Sequence, residues 1–317
     1  MRPAALPAPA PDLQVRRWIR RQLETAPPRA PSLIITVWGD AIAPHGGAVM
    51  LPGLISLLAP LDINERLVRT SVFRLAREGW LKATPVGRRS LYRLTREGAR
   101  RFEQAYRRIY APPIEGWDDT WEMVITNGST AAQRRALKLE LGWEGFGALA
   151  SGVYARPATA RSAVPRIAAA LHLARHLVVV RARDDATLGG QTLASVAGRA
   201  WDLAGLAADY RRFMLRFGSV IDRFRVAGQT AHDPAQAFIV RTLLIHAYRR
   251  VLLRDPQLPA VLLPLDWPGA AAYTLCRDFY RLTHRAAERH LLATLQDARG
   301  ALPPASAAFH HRFGGLG

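Results

Sequence analysis

Four arginines, Arg66, Arg69, Arg74 and Arg77, recur at helical spacing with Thr70 and Phe73 between them. On a helix, Arg66, Thr70, Phe73 and Arg77 share one face, flanked by Arg69 and Arg74. Val68, Val72, Leu75 and Ala76 gather on the opposite face. A guanidinium fork matches the two acceptors on a guanine edge or a pair of phosphate oxygens. Phenylalanine on such a basic face is costly unless it meets something apolar, and a thymine methyl would serve. The alternative is a solvated basic helix whose Phe73 packs on a neighbouring domain. The next segment, WLKATPVGRRSLYRLT, favours DNA, because it reads as a hairpin with Gly87 at its turn. Arg88 and Arg89 sit at its tip and Arg93 on the returning strand, placed to rest on phosphates. Residues 64–101 hold eleven bases against three acids, Glu65, Glu78 and Glu97, enough to bind duplex DNA even without sequence preference.

Several elements must position these groups. A helix, LPGLISLLAP, and a short connector, LDI, precede the Arg-rich helix, whose cap is either Asp62 (paired with Glu65 as a capping box) or Asn64. Before them, SLIITVWGDAIAPHG is helical from Ser32 and stops at Gly46 and Gly47. After them, Thr95 opens a further helix through about residue 109, and Pro112 and Pro113 close the segment. Residues 1–31 are Pro/Ala-rich with a short basic amphipathic stretch at Arg16, Arg17, Arg20 and Arg21, expected as a partly ordered arm.

The middle of the chain alternates. Strand-like 121–126, helical 131–141, strand-like 148–156, helical 163–173 and an apolar, buried strand at 177–182 suggest a split βαβ sandwich. From Leu193 the pattern is all-helical, with an apolar stripe at Leu206, Tyr210, Phe213, Phe217, Val220 and Phe224. Asp233-Pro234 caps and starts the next helix. Pro256, Pro259 and Pro264 keep 254–267 extended, and a last helix runs from Trp267-Pro268 to about 295.

With 317 residues the chain can hold two or three domains, and its net charge of +19 points to a polyanionic partner. Only Lys82 and Lys138 are lysines, so a composition bias toward Arg contributes, and placement must carry the argument. Cys276, the single cysteine, rules out an intrachain disulfide and fits a reducing, cytoplasmic setting as a buried thiol. No apolar run approaches the roughly 20 residues of a membrane span. Gly145-x-Gly147-x-x-Ala150 has the letters of a dinucleotide fingerprint in the wrong context, after a helix and before a strand. His172 and His176 have ligand spacing but no partner, and His310 and His311 lie in a Gly-rich tail, so no metal site and no catalytic group is expected.

INERLVRTSVFRLAREGWL with VGRRSLYRLT, then LGWEGFG, then HAYRRVLLRDPQLPAVLLPLDWPG carry a resemblance. From about Ser32 to Leu295 the chain resembles the PaaX family of bacterial repressors of phenylacetate catabolism. The resemblance implies an α+β multidomain protein in three parts after the arm of 1–31. They are a winged helix-turn-helix at 32–111, a ferredoxin-like dimerisation or linking domain at 112–190, and a helical effector-binding domain at 191–317. It further implies a homodimer on a palindromic operator, released by an aryl-acyl-CoA such as phenylacetyl-CoA, with Arg69, Arg74, Arg88 and Arg89 at the family's basic positions. Such an effector needs an apolar slot and cations. Trp201, Tyr210, Phe213, Trp267 and Tyr273 are candidates for the slot, and His246, Arg249 and Arg250 for the phosphates. The plainer alternative makes the aromatics helical core and pairs Arg249 with Asp255 or Asp266. The middle part also looks like the small CRISPR-associated metal nuclease fold, but its first strand ends Val124-Ile125-Thr126-Asn127, without the carboxylate that chemistry needs. An enzyme acting on acyl-CoA or nucleic acid, targeted by the helix-turn-helix, is the competing reading.

Overall fold

Asp12 accepts hydrogen bonds from the Gln14 and Val15 N–H groups and so starts a helix within the segment expected to be an arm. The computed structural model describes residues 11–112, 116–159, 161–185, 192–193, 195, 199–227 and 232–316. The first ten residues of the expected arm, Pro113, and the expected boundary at 190–191 lie outside the described residues. Helix α1 (Leu13–Thr25) buries Val15, Trp18, Ile19 and Leu23 and leaves Arg16, Arg17, Arg20 and Arg21 exposed. The chain divides into two units. One draws on Met1–Pro112, Arg212–Arg249 and Ala271–Gly317, and the other on Pro113–Arg211 and Arg250–Ala270.

In the first unit, α2 (Ala30–Val37) continues through a π turn at Trp38–Ile42 and a 3-10 turn to Gly46, whose φ of 86° ends it. Then come β1 (Ala48–Met50), α3 (Leu51–Leu58), α4 (Glu65–Arg77), β2 (Leu81–Val86), β3 (Arg89–Leu94) and α5 (Arg96–Tyr110). The hairpin gains a third strand that sequence pattern does not reveal. β1 pairs antiparallel with β3, giving the order β1-β3-β2. Three residues are too few to display a period-2 pattern.

Three long helices follow, α8 (Leu203–Ala227), α9 (Pro234–Leu252) and α10 (Gly269–Thr294), of which residues 212–249 and 271–294 belong to the first unit. The stripe expected on α8 is buried at Leu206, Tyr210, Phe213, Phe217, Val220 and Phe224. Trp18 of α1 meets Phe217, and Phe224 meets Phe279 of α10, with ring centroids 5.4 and 5.2 Å apart. The chain after α10 makes a small hairpin (β8, Gln296–Asp297; β9, Gly300–Ala301) and a short helix, α11 (Ala307–His310). Phe309, Arg312, Phe313 and Leu316 are then buried, so this segment is part of the core.

The second unit contains an antiparallel sheet in the order β5-β6-β4-β7. Its elements run β4 (Trp121–Thr126), α6 (Ala131–Trp143), β5 (Gly147–Ala150), β6 (Val153–Pro157), α7 (Val164–Ala170) and β7 (Leu177–Ala182). This βαββαβ connection is the ferredoxin-like sandwich. Two expectations need correction. Residues 148–156 form a hairpin, because Gly152 takes a φ of 78° and turns the chain. Strand β7 is not buried: Val178, Val179 and Val180 are exposed, and β7 lies at the sheet edge with β4 as its one neighbour among the described residues. The core on the helix side is Val124, Leu137, Leu141, Phe146, Tyr154, Val164, Ile167 and Leu173.

Candidate nucleic-acid interface

Helix α4 starts at Asn64, whose side chain accepts the Leu67 N–H at 3.0 Å, which settles the choice between Asp62 and Asn64. Val68, Ser71, Val72 and Leu75 are buried beneath it, against α2 and α3. Arg66, Arg69, Thr70, Phe73, Arg74 and Arg77 are exposed, Phe73 to 61%. Arg69 Nε lies 2.8 Å from Glu65 Oε1 and Arg74 Nε 2.7 Å from Glu78 Oε1, each pair four residues apart. The Glu78 bond raises the Arg74 pKa above its already high ordinary value. Exposed pairs of this kind are weak, so both arginines give up their carboxylates readily to a phosphate or a guanine. Arg66 and Arg77 make no ion pair with a described residue.

The hairpin turns in two residues, Gly87 and Arg88, between the paired Val86 and Arg89. Gly87 has a φ of 58°, the left-handed value such a turn wants from glycine. Arg88, Arg89 and Arg93 are exposed, and Lys82 stands directly across from Arg93 on the neighbouring strand. The wing is fixed at its base. Thr95 Oγ1 donates to the Gly79 carbonyl at 2.6 Å, and Arg101 lies over the Trp80 ring at 4.9 Å. Gly98 is required there, since a Cβ on it would sit 2.3 Å from the Trp80 carbonyl oxygen. Near the same corner, hydrogen bonds from Arg100, then Arg101, hold the Glu97 carboxyl at a pKa of about 2.

The chain matches the family model for a PaaX-like protein over residues 29–98, the region that carries α2 to the start of α5. It matches the PaaX protein central Cas2-like domain over 115–195 and the PaaX-like protein C-terminal domain over 201–293. It is 33% identical over 299 residues to Transcriptional repressor PaaX of Escherichia coli K12, covering 94% of each chain. The chain belongs to the PaaX family. Among solved structures it is similar to the uncharacterized protein Rv0674 from Mycobacterium tuberculosis. That match has 27% identity and a TM-score of 0.53, and it spans 83% of this chain and 98% of that one.

In this PaaX-family chain the eight residues proposed for an effector fall into two sets, one in each unit. In the second unit, Tyr210 donates to Asp255 Oδ2 at 2.6 Å and stands edge-on to Trp267 at 5.9 Å. Trp201 packs against the Trp121 and Ala155 cluster, and a Cβ on Gly147 would come within 2.6 Å of its ring. Arg250 is exposed. In the first unit, Phe213 packs on Phe217 and Tyr248, and Tyr273 on Phe313. His246 Nδ1 is 2.9 Å from Thr36 Oγ1, and Arg249 Nη2 donates to Ser32 Oγ at 3.3 Å. Arg249 also lines a cavity with Thr36, Asp40, Tyr106 and Tyr110, whose volume of about 20 Å³ suits a water molecule. Packing therefore accounts for most of these side chains.

Sequence reasoning missed a buried charge network in the first unit. The π turn places Asp40 in the core, 2% exposed. Its Oδ1 accepts from Tyr110 at 2.6 Å and from Tyr280 at 2.9 Å, and Arg312 Nη1 lies 3.1 Å away. Arg241 Nε is 3.2 Å from Oδ2, an ion pair without hydrogen-bond geometry. Arg241 Nη1 also donates to Glu288 Oε1 at 2.8 Å, and Glu288 Oε2 meets His45 Nε2 at 2.7 Å. Burial alone would raise the Glu288 pKa, but the Arg241 charge and the His45 and Arg241 hydrogen bonds hold it at about 2. Burial would lower His45, yet the Glu288 bond and the Pro303 carbonyl leave its pKa raised. The pairs made by Asp40 and Glu288 join residues 47 to 272 positions apart, so no local spacing signals the network.

Cys276 is fully buried, and burial raises its thiol pKa well above the usual value, so it is not poised as a nucleophile. His172 (φ 54°) and His176 both follow the end of α7, which removes the i,i+4 face they would need. Gly145 follows α6 and Gly147 opens β5, the helix-then-strand context that the fingerprint argument expects. Glu122 of the first ferredoxin-like strand is held by Arg156, with Nη2 to Oε2 at 2.8 Å. No described helix is long and apolar enough to cross a membrane.

Proposed function

We propose that this chain is a PaaX-like transcriptional repressor that binds operator DNA through α4 and the Gly87 hairpin, with Arg66, Arg69, Thr70, Phe73, Arg74 and Arg77 in the major groove and Arg88, Arg89 and Arg93 on flanking phosphates. The observation that carries this reading is that the entire arginine face of α4 lies in solvent beside a basic hairpin. A homodimer would present two such helices to successive major grooves, about 34 Å apart on a palindromic site. The unpaired outer edge of β7, with Val178 53% exposed, supports pairing through the middle domain. The finer reading is a cytoplasmic repressor of an aromatic-acid operon, released by phenylacetyl-CoA or a related aryl-CoA that favours a dimer geometry unfit for DNA. Its support is the family membership, and the helical C-terminal part remains the proposed place of binding.

Gel shifts with the chain's own promoter region test both levels. A sequence-selective complex, weakened about 5- to 150-fold by acyl-CoA, is the expected result. Absence of a selective complex rejects DNA reading. A complex indifferent to an acyl-CoA that binds the protein rejects only the release mechanism.

A further inference from the structure

We infer that the middle of α4 reads thymine, through one apolar spot made by Thr70 and Phe73. Phe73 stands 61% exposed, and among the described residues no aromatic ring or cation lies against it. Thr70, one turn away on the same face, is exposed too. Its hydroxyl donates back to the Arg66 carbonyl at 2.8 Å, so the proton is used within the helix and the methyl is the uncommitted group. The two side chains thus give an apolar centre to a face lined by arginines, with Leu67, 44% exposed, at its flank.

The arginines bracket that centre. Arg66 and Arg77, without ion-pair partners among the described residues, mark its two ends. They are separated by about 16 Å at 1.5 Å per residue, or about five base steps. Arg69 and Arg74 flank the centre, and Glu65 and Glu78 hold them back along the helix. In the major groove, thymine alone offers a methyl group, whereas guanine offers the paired acceptors that suit a guanidinium. The layout therefore fits a half-site with thymine under Thr70 and Phe73 and guanine or phosphate contacts to either side.

This inference rests on the DNA-binding reading above and deepens it. The test selects a preferred duplex from a random library with the full-length protein, then replaces each thymine by deoxyuridine in turn. At one or two adjacent positions, loss of the methyl should weaken wild-type binding about fourfold, the worth of one buried carbon. The same replacements should leave Phe73→Ala unaffected, while Phe73→Leu should keep part of the effect. Because Phe73 is exposed, both variants fold, and circular dichroism checks this. A preferred duplex whose affinity ignores every deoxyuridine, or responds equally with and without Phe73, overturns thymine reading and leaves DNA binding standing. Failure to select any preferred duplex overturns both.

Discussion

Arg69 and Arg88 are both exposed arginines, yet they stand on supports of different stiffness. Arg69 lies on a capped helix whose underside is Val68, Val72 and Leu75, and Glu65 aligns its guanidinium. Arg88 lies at the tip of a two-residue turn. A stiff support suits a bidentate base contact, and a turn suits a phosphate. Arg69→Ala or Arg74→Ala should relax base preference by about 1–3 kcal/mol per lost contact, while Arg88→Ala should weaken every duplex alike and lower the salt slope by about one. Binding isotherms on cognate and scrambled duplexes at several salt concentrations measure both, and equal behaviour of the two mutants would contradict the assignment. These residues were legible in sequence because a helix has one period and a Gly turn one purpose. Asn64 was not separable from Asp62, since both side chains can cap and only the chain's path decides.

At the scale of elements, α1 and β7 depart most from what composition suggests. The Pro/Ala/Arg character of the N-terminal segment reads as an arm, yet Trp18 is 5% exposed and stacked on Phe217. Trp18→Ala should cost about 3–5 kcal/mol in urea unfolding, whereas Arg17→Ala on the outer face should change stability by less than about 0.5 kcal/mol. A small loss from Trp18→Ala would mean that α1 is dispensable to the core. Strand β7 errs the other way. Three consecutive valines imitate a buried strand, and only its place in the sheet leaves them in solvent. If the proposed dimer pairs through that edge, Val179→Lys should shift sedimentation toward the monomer at a given concentration, while a variant that associates like the wild type would remove β7 from the proposed contact.

For the molecule as a whole, the network around Asp40 ties residues near the N-terminus to the segment that follows α10. Arg312 has no exposed side-chain surface and stacks over Tyr110 at 4.1 Å. Arg312→Met leaves the buried Asp40 with one cation fewer, and should destabilise the protein by about 3–5 kcal/mol. The same network sets acid sensitivity. Glu288 has a pKa of about 2 against an ordinary 4.5. The stabilisation it provides, on the order of 3 kcal/mol, is complete above about pH 4.5 and is lost as pH falls toward 2. Urea midpoints between pH 6 and pH 2.5 should therefore fall less steeply in Glu288→Gln, which starts lower at neutral pH. His45 acts oppositely: its raised pKa contributes below pH 6.5 and fades as pH rises through the folded value.

Local periodicity by itself determined α4, the hairpin of the wing, the alternation of strands and helices in the middle of the chain and the long helices, because each records which side of a short segment is apolar. It also determined the basic surface, since charges spaced at three and four residues share a helix face whatever surrounds them. Tertiary structure alone decided which strand is an edge, that α1 and the residues after α10 belong to the core, and that Asp40, Arg241, Glu288 and Arg312 meet. Those outcomes depend on contacts between residues up to 273 positions apart. Burial of charge is decided by the partner that arrives, and no local pattern records the arrival.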